Sequence, residues 1–139
     1  MPLELDSLKK AVSALKRAVN SANENLSAAN PDLRDTIKAG VVQNFEVSYE
    51  QCWKFMQRWI RENRTPEEAD PSRTRKELFR MAARYELIPD PLPWFEFGEA
   101  RNLTTHTYDA AQAGVAYGEA RRFLPHAEEF LKRMEERND

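Results

Sequence analysis

A chain of 139 residues suits one domain with one hydrophobic core. With 21 basic and 23 acidic residues its formal net charge is -2, so it lacks the basic excess typical of proteins that hold duplex DNA. The one cysteine, Cys52, excludes an internal disulfide and is predicted to be a core thiol. No signal-peptide region or long apolar run is present, which predicts a soluble, cytoplasmic protein without a membrane segment.

Five segments of the chain carry apolar residues at the three- and four-residue steps of a helix, and none alternates as a strand would. The segments are residues 6–28, 31–63, 73–87, 90–107 and 110–136. We therefore predict a single all-α domain over residues 1–139, an up-and-down bundle of four to five helices. At 1.5 Å per residue the second helix is about 48 Å long, which suits a bundle that continues across a subunit contact in a dimer.

Several helix boundaries have recognisable signals. Asn30 is placed as an N-cap, and Pro31 follows at the first helical position. Asp109 and Gln112 have the spacing of a capping box before the last helix. Pro125 lies inside that helix and predicts a kink there.

Glu46, Glu50 and Lys54 follow one another at four-residue spacing on the second helix. This spacing fits an exposed row of ion pairs. It also fits acids that lie near the helix interior and position a cation from another helix. The sequence leaves both interpretations open.

The stretch from Arg101 to Tyr108 gathers a fixed cation, a carboxamide, an imidazole and a phenol within eight residues. An arginine can offer two parallel donors to phosphate oxygens, and an imidazole can move protons near neutral pH. RNA supplies its own nucleophile, the 2′-hydroxyl. These residue types therefore fit phosphodiester cleavage without a metal or other cofactor.

By spacing alone, this stretch has a simpler interpretation. An arginine and a histidine near a helix end often form a salt bridge and a favourable contact with the helix dipole. On a regular helix Asn102 and His106 share one face, whereas Arg101 points about 140° away from His106. Either the helix frays after Thr104, or a second copy of the chain completes the site. Gly98, one turn earlier, is predicted to clear room for a partner helix or a ligand.

Two further sets of residues are candidates for a site or a contact. His126 follows a proline on a mostly charged face with no third ligand nearby, so a metal site there is not predicted. Ala110, Gly114 and Gly118 recur every four residues and would let another backbone come close.

One stretch resembles the signature of the HEPN superfamily, namely Arg101-Asn102-Leu103-Thr104-Thr105-His106. That signature is an arginine, commonly followed by an asparagine, with a histidine four to six residues after the arginine. The continuation to Tyr108 resembles the longer form found in HepT-type toxins. Residues 40–56 look like the second helix of the nucleotidyltransferase substrate-binding proteins, a branch of the same superfamily. The resemblance covers residues 5 to 135.

This resemblance implies a helical bundle that dimerises with the two arginine-histidine motifs facing each other across an RNA-cleaving cleft. Carried over to this chain, His106 would be the acid and base, Arg101 the phosphate clamp and Asn102 an orienting or RNA-contacting residue. Tyr108 would receive AMP from a partner nucleotidyltransferase, which would switch off the toxin. The substrate-binding branch implies an alternative, a non-catalytic subunit of a two-component nucleotidyltransferase that binds nucleotide or RNA in the same cleft. A helical domain with neither role is the third hypothesis.

Overall fold

The computed structural model describes residues 2–70, 73–106 and 110–138, with His106 described by its backbone only. Within these ranges it contains five α-helices and two short 3-10 turns, and no strand. The helices are α1 (Asp6–Asn25), α2 (Pro31–Asn63), α3 (Arg75–Arg84), α4 (Leu92–Leu103) and α5 (Ala110–Glu136). The 3-10 turns are Leu26–Ala28 and Thr104–His106. The predicted all-α bundle of four to five helices is confirmed, with five helices present in the described residues.

Helix α2 lies at the centre of the bundle and packs against all four other helices. Its buried face recurs at helical spacing, as the sequence predicted, through Val41, Phe45, Tyr49, Cys52, Met56 and Ile60. Each of these side chains is fully or almost fully removed from solvent, and burial of each apolar side chain stabilises the fold by about 1.5–3 kcal/mol. Burial raises the pKa of the Cys52 thiol well above its usual range, so this cysteine is the predicted core thiol.

The predicted start of α2 is confirmed at the level of its cap. The side-chain oxygen of Asn30 accepts a hydrogen bond of 2.8 Å from the backbone N–H of Leu33. Pro31 occupies the first helical position, where its missing N–H has no intrahelical acceptor to lose. Capping and proline placement together fix where this 33-residue helix begins.

Helix α3 is shorter at both ends than the predicted span of residues 73–87. It begins after Thr74, whose hydroxyl oxygen accepts a hydrogen bond of 3.2 Å from the backbone N–H of Glu77. It ends before Glu86, which turns the chain through a left-handed conformation with a φ of 63°. Because a side chain disfavours that conformation, the surrounding contacts must hold it. Arg133 of α5 donates a hydrogen bond of 2.8 Å to the Glu86 carbonyl oxygen.

An aromatic cluster joins α2, α3, α4 and α5 in the middle of the core. Phe123 of α5 lies at its centre, with ring centroids 5.0 Å from Phe97, 5.3 Å from Phe45 and 5.3 Å from Trp94. These three pairs meet edge to face, the geometry that the ring quadrupoles favour. The cluster fixes α4, and with it the Arg101 to His106 stretch, against α2 and α5.

Helix α5 runs without interruption through Pro125, which is exposed. A proline has no N–H to donate to the carbonyl one turn earlier, and this is the usual cause of a bend. The kink at Pro125 stays a prediction. Within the described ranges, no helix is both long and apolar enough to span a membrane.

Candidate functional site

The residues of the predicted motif lie at the end of α4 and in the 3-10 turn that follows it. Arg101 and Asn102 belong to the last turn of α4, and the backbone of His106 closes the 3-10 turn. The α-helix therefore ends at Leu103, before the predicted end near His106 or Thr107, and the 100° helical phase does not extend to the histidine. The His106 side chain and all of Tyr108 and Asp109 lie outside the described residues, so their predicted roles and cap stay predictions.

The guanidinium of Arg101 is held by two carboxylates from α2. Its Nη1 lies 3.4 Å from a carboxylate oxygen of Glu46, and its Nε lies 3.7 Å from one of Glu50. Nη1 also donates a hydrogen bond of 3.0 Å to the hydroxyl of Thr104, which itself donates to the Arg101 carbonyl. The open question about the acidic row is thus answered for Glu46 and Glu50, because both position a cation from another helix.

This pairing orients Arg101 and also offsets its charge. All three side chains are about one third exposed, so water screens the ion pairs and they contribute to orientation more than to stability. Among the described residues, Nε of Arg101 is buried without a hydrogen bond, since the Glu50 oxygen lies beyond bonding distance. A phosphate at this position would meet a fixed guanidinium that already faces two carboxylates.

The contacts around Arg101 continue through Glu50 into α3. The second carboxylate oxygen of Glu50 accepts a hydrogen bond of 3.1 Å from Nε1 of Trp53. The guanidinium of Arg75 stacks 3.9 Å from the centre of the Trp53 ring and donates a hydrogen bond of 3.2 Å to the hydroxyl of Tyr49. Burial raises the pKa of the Tyr49 hydroxyl, which moves it still further from neutral pH.

The space beside Gly98 is partly filled from within the chain. A Cβ atom added at Gly98 would lie 2.9 Å from the hydroxyl oxygen of Tyr49. Part of the room beside Gly98 is thus taken by the Tyr49 hydroxyl of the same chain, while Gly98 also lines the cleft that reaches Asn102. Its predicted role in clearing room for a partner helix or a ligand stays a prediction. Its missing side chain lets the buried Tyr49 ring reach α4.

Two clefts border the motif. One, of about 280 Å³, lies between α3 and α4 and is lined by Tyr49, Arg75, Lys76, Phe95, Gly98 and Asn102 among others. Asn102 thus faces α3 and its cations. Sequence reasoning did not identify Arg75 and Lys76, because exposed cations in a first helical turn look like an ordinary solvated surface.

The second cleft, of about 860 Å³, runs between α2 and α5 beside the 3-10 turn. Lys38, Glu46, Thr104, Gly114 and Tyr117 are among its lining residues. A Cβ added at Gly114 or at Gly118 would have no described atom within 4 Å beyond its neighbours and the backbone of its own helix. The sequence predicts that another backbone comes close to the stripe of Ala110, Gly114 and Gly118. No other described part of the same chain approaches Gly114 or Gly118 in this way.

His126 lies apart from the motif. Its ring packs 5.1 Å from that of Phe97, and burial together with the nearby Arg122 lowers its pKa. No group of three histidine, cysteine, aspartate or glutamate residues in the described ranges is arranged to hold a metal ion.

Comparison with known protein families gives a match over nearly the whole chain. Residues 3–136 match the model of a family described as nucleotidyltransferase substrate binding protein like. A protein of Haemophilus influenzae named "Probable ribonuclease HepT" is 32% identical over 106 residues, which are 76% of this chain and 73% of that protein.

Two solved structures share the fold. One, from Haemophilus influenzae, is described as the fold of a substrate binding domain of a nucleotidyltransferase. It superposes with a TM-score of 0.88 at 28% identity, over 95% of this chain and 99% of the other. The second, a protein of Thermus thermophilus, superposes with a TM-score of 0.72 at 26% identity, over 91% of this chain and 98% of the other.

Proposed function

Because this chain belongs to the family of nucleotidyltransferase substrate binding protein-like proteins, we propose that it is a metal-independent endoribonuclease toxin restrained by a nucleotidyltransferase antitoxin. The name of the Haemophilus influenzae relative, a probable ribonuclease, supports the activity. The family description and the structural relative described as a substrate binding domain of a nucleotidyltransferase support the partner.

The observation that carries the proposal is the fixed position of Arg101. Contacts to Glu46, Glu50 and Thr104 hold its guanidinium at the end of α4, five residues before His106. A preorganised cation that need not reorient during the reaction is what stabilises charge developing on phosphorus. Asn102, next in sequence, lines the adjacent cleft and can orient the RNA.

The proposed reaction uses only groups of the protein and the RNA. The His106 imidazole of one protomer takes the proton of a 2′-hydroxyl, whose oxygen attacks the adjacent phosphorus. Arg101 faces the phosphate oxygens during this step. The bond from phosphorus to the 5′ oxygen breaks, and the leaving oxygen takes a proton from a second imidazole. A homodimer that brings two copies of His106 to one cleft supplies both the base and the acid.

The dimer is proposed to form at the motif side of the bundle. The groove between α2 and α5 borders Thr104, and the Gly114 and Gly118 stripe beside it offers open space to a second backbone. Small residues at such positions permit close helix packing. This arrangement fits the sequence expectation that a second copy completes the site.

The activity is tested by incubating the purified protein with total RNA in EDTA. We expect cleavage by the unchanged chain and at least about a hundredfold slower cleavage by His106→Ala, the typical effect of losing an acid-base group. His126→Ala, which removes the chain's other histidine, is the matched control and should cleave as before. Intact RNA after incubation with the unchanged chain would contradict the proposed activity.

We further propose that the partner transfers AMP from ATP to the hydroxyl oxygen of Tyr108, with release of pyrophosphate and of the hydroxyl proton, and thereby silences the cleft. The added phosphate brings negative charge to the place that RNA must occupy. After incubation with the partner and ATP, mass spectrometry should find one AMP on Tyr108 and none after Tyr108→Phe. Tyr117→Phe, which changes a tyrosine lining the neighbouring groove, is the control. An adduct elsewhere in the chain would refute this assignment.

A second function, a non-catalytic substrate-binding subunit of a two-component nucleotidyltransferase, is favoured by one observation. The charge of Arg101 is already offset by Glu46 and Glu50, which suits a structural arginine. Both proposed functions predict that this chain co-purifies with the nucleotidyltransferase, so co-purification does not separate them. Cleavage that depends on His106 separates them.

A further inference from the structure

Arg75, at the start of α3, is a cation held in place without a carboxylate. Stacking on Trp53 and the hydrogen bond to Tyr49 fix its guanidinium. No carboxylate oxygen of the described residues lies within 4.0 Å of it, whereas Arg73, two residues earlier, pairs with Glu77. Arg75 therefore presents an exposed positive charge that no ion pair among the described residues neutralises.

Two more cations of α3 share this property. Nζ of Lys76 lies 5.6 Å and the guanidinium of Arg80 lies 5.3 Å from the centre of the Phe95 ring on α4. Neither forms an ion pair with any acid in the part of the chain that the structure describes. Phe95 is only partly buried and lines the cleft between α3 and α4, so an aromatic surface lies beside these two cations.

The cleft between α3 and α4 connects these cations to the motif. Arg75 and Lys76 line it on one side, and Asn102 lines it on the other. Glu99 also lines the cleft and is the acid among its lining residues. Because Asn102 follows Arg101 directly, an RNA strand that contacts Arg101 can continue into this cleft.

We propose that this cleft is a subsite for single-stranded RNA, in which Arg75 and Lys76 bind the phosphates next to the one at Arg101. The inference rests on the proposed function and extends it by naming where the strand runs. Single-stranded RNA is bound by cations along the backbone together with aromatic or guanidinium surfaces on which bases stack. The cleft provides both kinds of group.

The size of the cleft fits one nucleotide of a passing strand. Its volume of about 280 Å³ is at the lower limit of pockets that enclose a separate small ligand, about 300–1,000 Å³. An acidic segment of a partner protein could pair with the same cations. A nucleobase can in addition stack on the exposed part of the Phe95 ring, which acidic side chains cannot do, so the cleft favours RNA.

The test measures binding of a labelled single-stranded poly(U) oligonucleotide to the His106→Ala protein over a series of NaCl concentrations. Adding Arg75→Gln and Lys76→Gln together should weaken binding about tenfold and reduce the slope of log affinity against log salt by about 1.4, or 0.7 per phosphate contact. Lys9→Gln with Lys16→Gln is the control of equal charge, because these lysines pair with Glu135 and Glu128 outside both clefts. It should change neither quantity.

Lys76→Gln alone guards against misfolding, since the Lys76 side chain makes no hydrogen bond within the described residues. It should reduce the slope by about 0.7. In the protein that retains His106, the double change should also slow RNA cleavage. The subsite is wrong and the proposed function stands if the unaltered chain cleaves RNA and the Arg75→Gln, Lys76→Gln variant binds and cleaves RNA equally well. If the double variant binds RNA normally but no longer retains the nucleotidyltransferase, the cleft is a protein contact instead. RNA neither bound nor cut by the unaltered chain would overturn function and subsite together.

Discussion

The carboxylates that contact Arg101 determine how its guanidinium is oriented and how much of its charge is offset. The sequence places it beside Asn102 at a helix end, and that position is confirmed. Its carboxylate partners could not be chosen from sequence, because a row of acids at four-residue spacing can face solvent or a neighbouring helix equally well. The answer depends on the rotation of α2 in the bundle. The aromatic core sets that rotation, placing Glu46 and Glu50 toward α4.

His126 gives the folded protein a dependence on pH. Burial, and after it the charge of Arg122, lowers the pKa of His126 below its usual value of about 6.5. The unfolded chain therefore binds a proton there at a higher pH than the folded chain does. The free energy of unfolding should fall as the pH drops from about 7 to about 5, with full stability above the unfolded pKa.

Urea unfolding of the wild-type protein and of His126→Gln over this pH range measures the contribution of His126. Carboxylates titrate in both proteins, so the difference between the two slopes belongs to this histidine. We expect a steeper loss of stability in the wild type. Parallel curves would show that the histidine titrates alike in the folded and unfolded chains.

Helix positions could be predicted well from sequence where a cap and an apolar period agree. Helix α2 begins and ends at the predicted residues because Asn30 and Pro31 mark its start and its buried face is continuous. Helix α3 was predicted too long, since its sequence continues to look helical up to Leu87. Contacts from α5 to Glu86 end it earlier, and those contacts join residues far apart in the chain.

The distance between α4 and α2 is set at Gly98, and this can be tested by substitution. Gly98→Ala would place a methyl group against the Tyr49 hydroxyl, and overpacking of this kind costs about 1–3 kcal/mol. Alanine favours the helix by up to about 1 kcal/mol, so we expect a net destabilisation of about 1 kcal/mol. In a Tyr49→Phe protein the clash is absent, and the same change should stabilise.

Urea unfolding of the four proteins in this double-mutant cycle measures the coupling between the two positions. Gly40→Ala is the control, because an added Cβ there has no atom within 4 Å beyond its own helix and should only favour α2. An equal effect of Gly98→Ala in both backgrounds would show that the Tyr49 hydroxyl does not determine the cost.

At the scale of the whole molecule, the sequence predicted the fold and the location of the motif but not the surfaces around it. Apolar periodicity is enough to predict a helical bundle and most of its core, from Phe45 and Met56 on α2 to Phe123 and Phe130 on α5. The α3 cations could not be linked to the motif, because only the packing of α3 against α4 brings Arg75 and Lys76 to Asn102.

The position of Phe123 at the centre of the core has a consequence for synthesis of the protein. Phe45 and Trp94 leave the ribosome before Phe123, which lies in the last helix of the bundle, and their rings lack this partner until that helix has been made. The nascent chain therefore cannot complete its core, or hold α4 in its final place, before translation has passed residue 123.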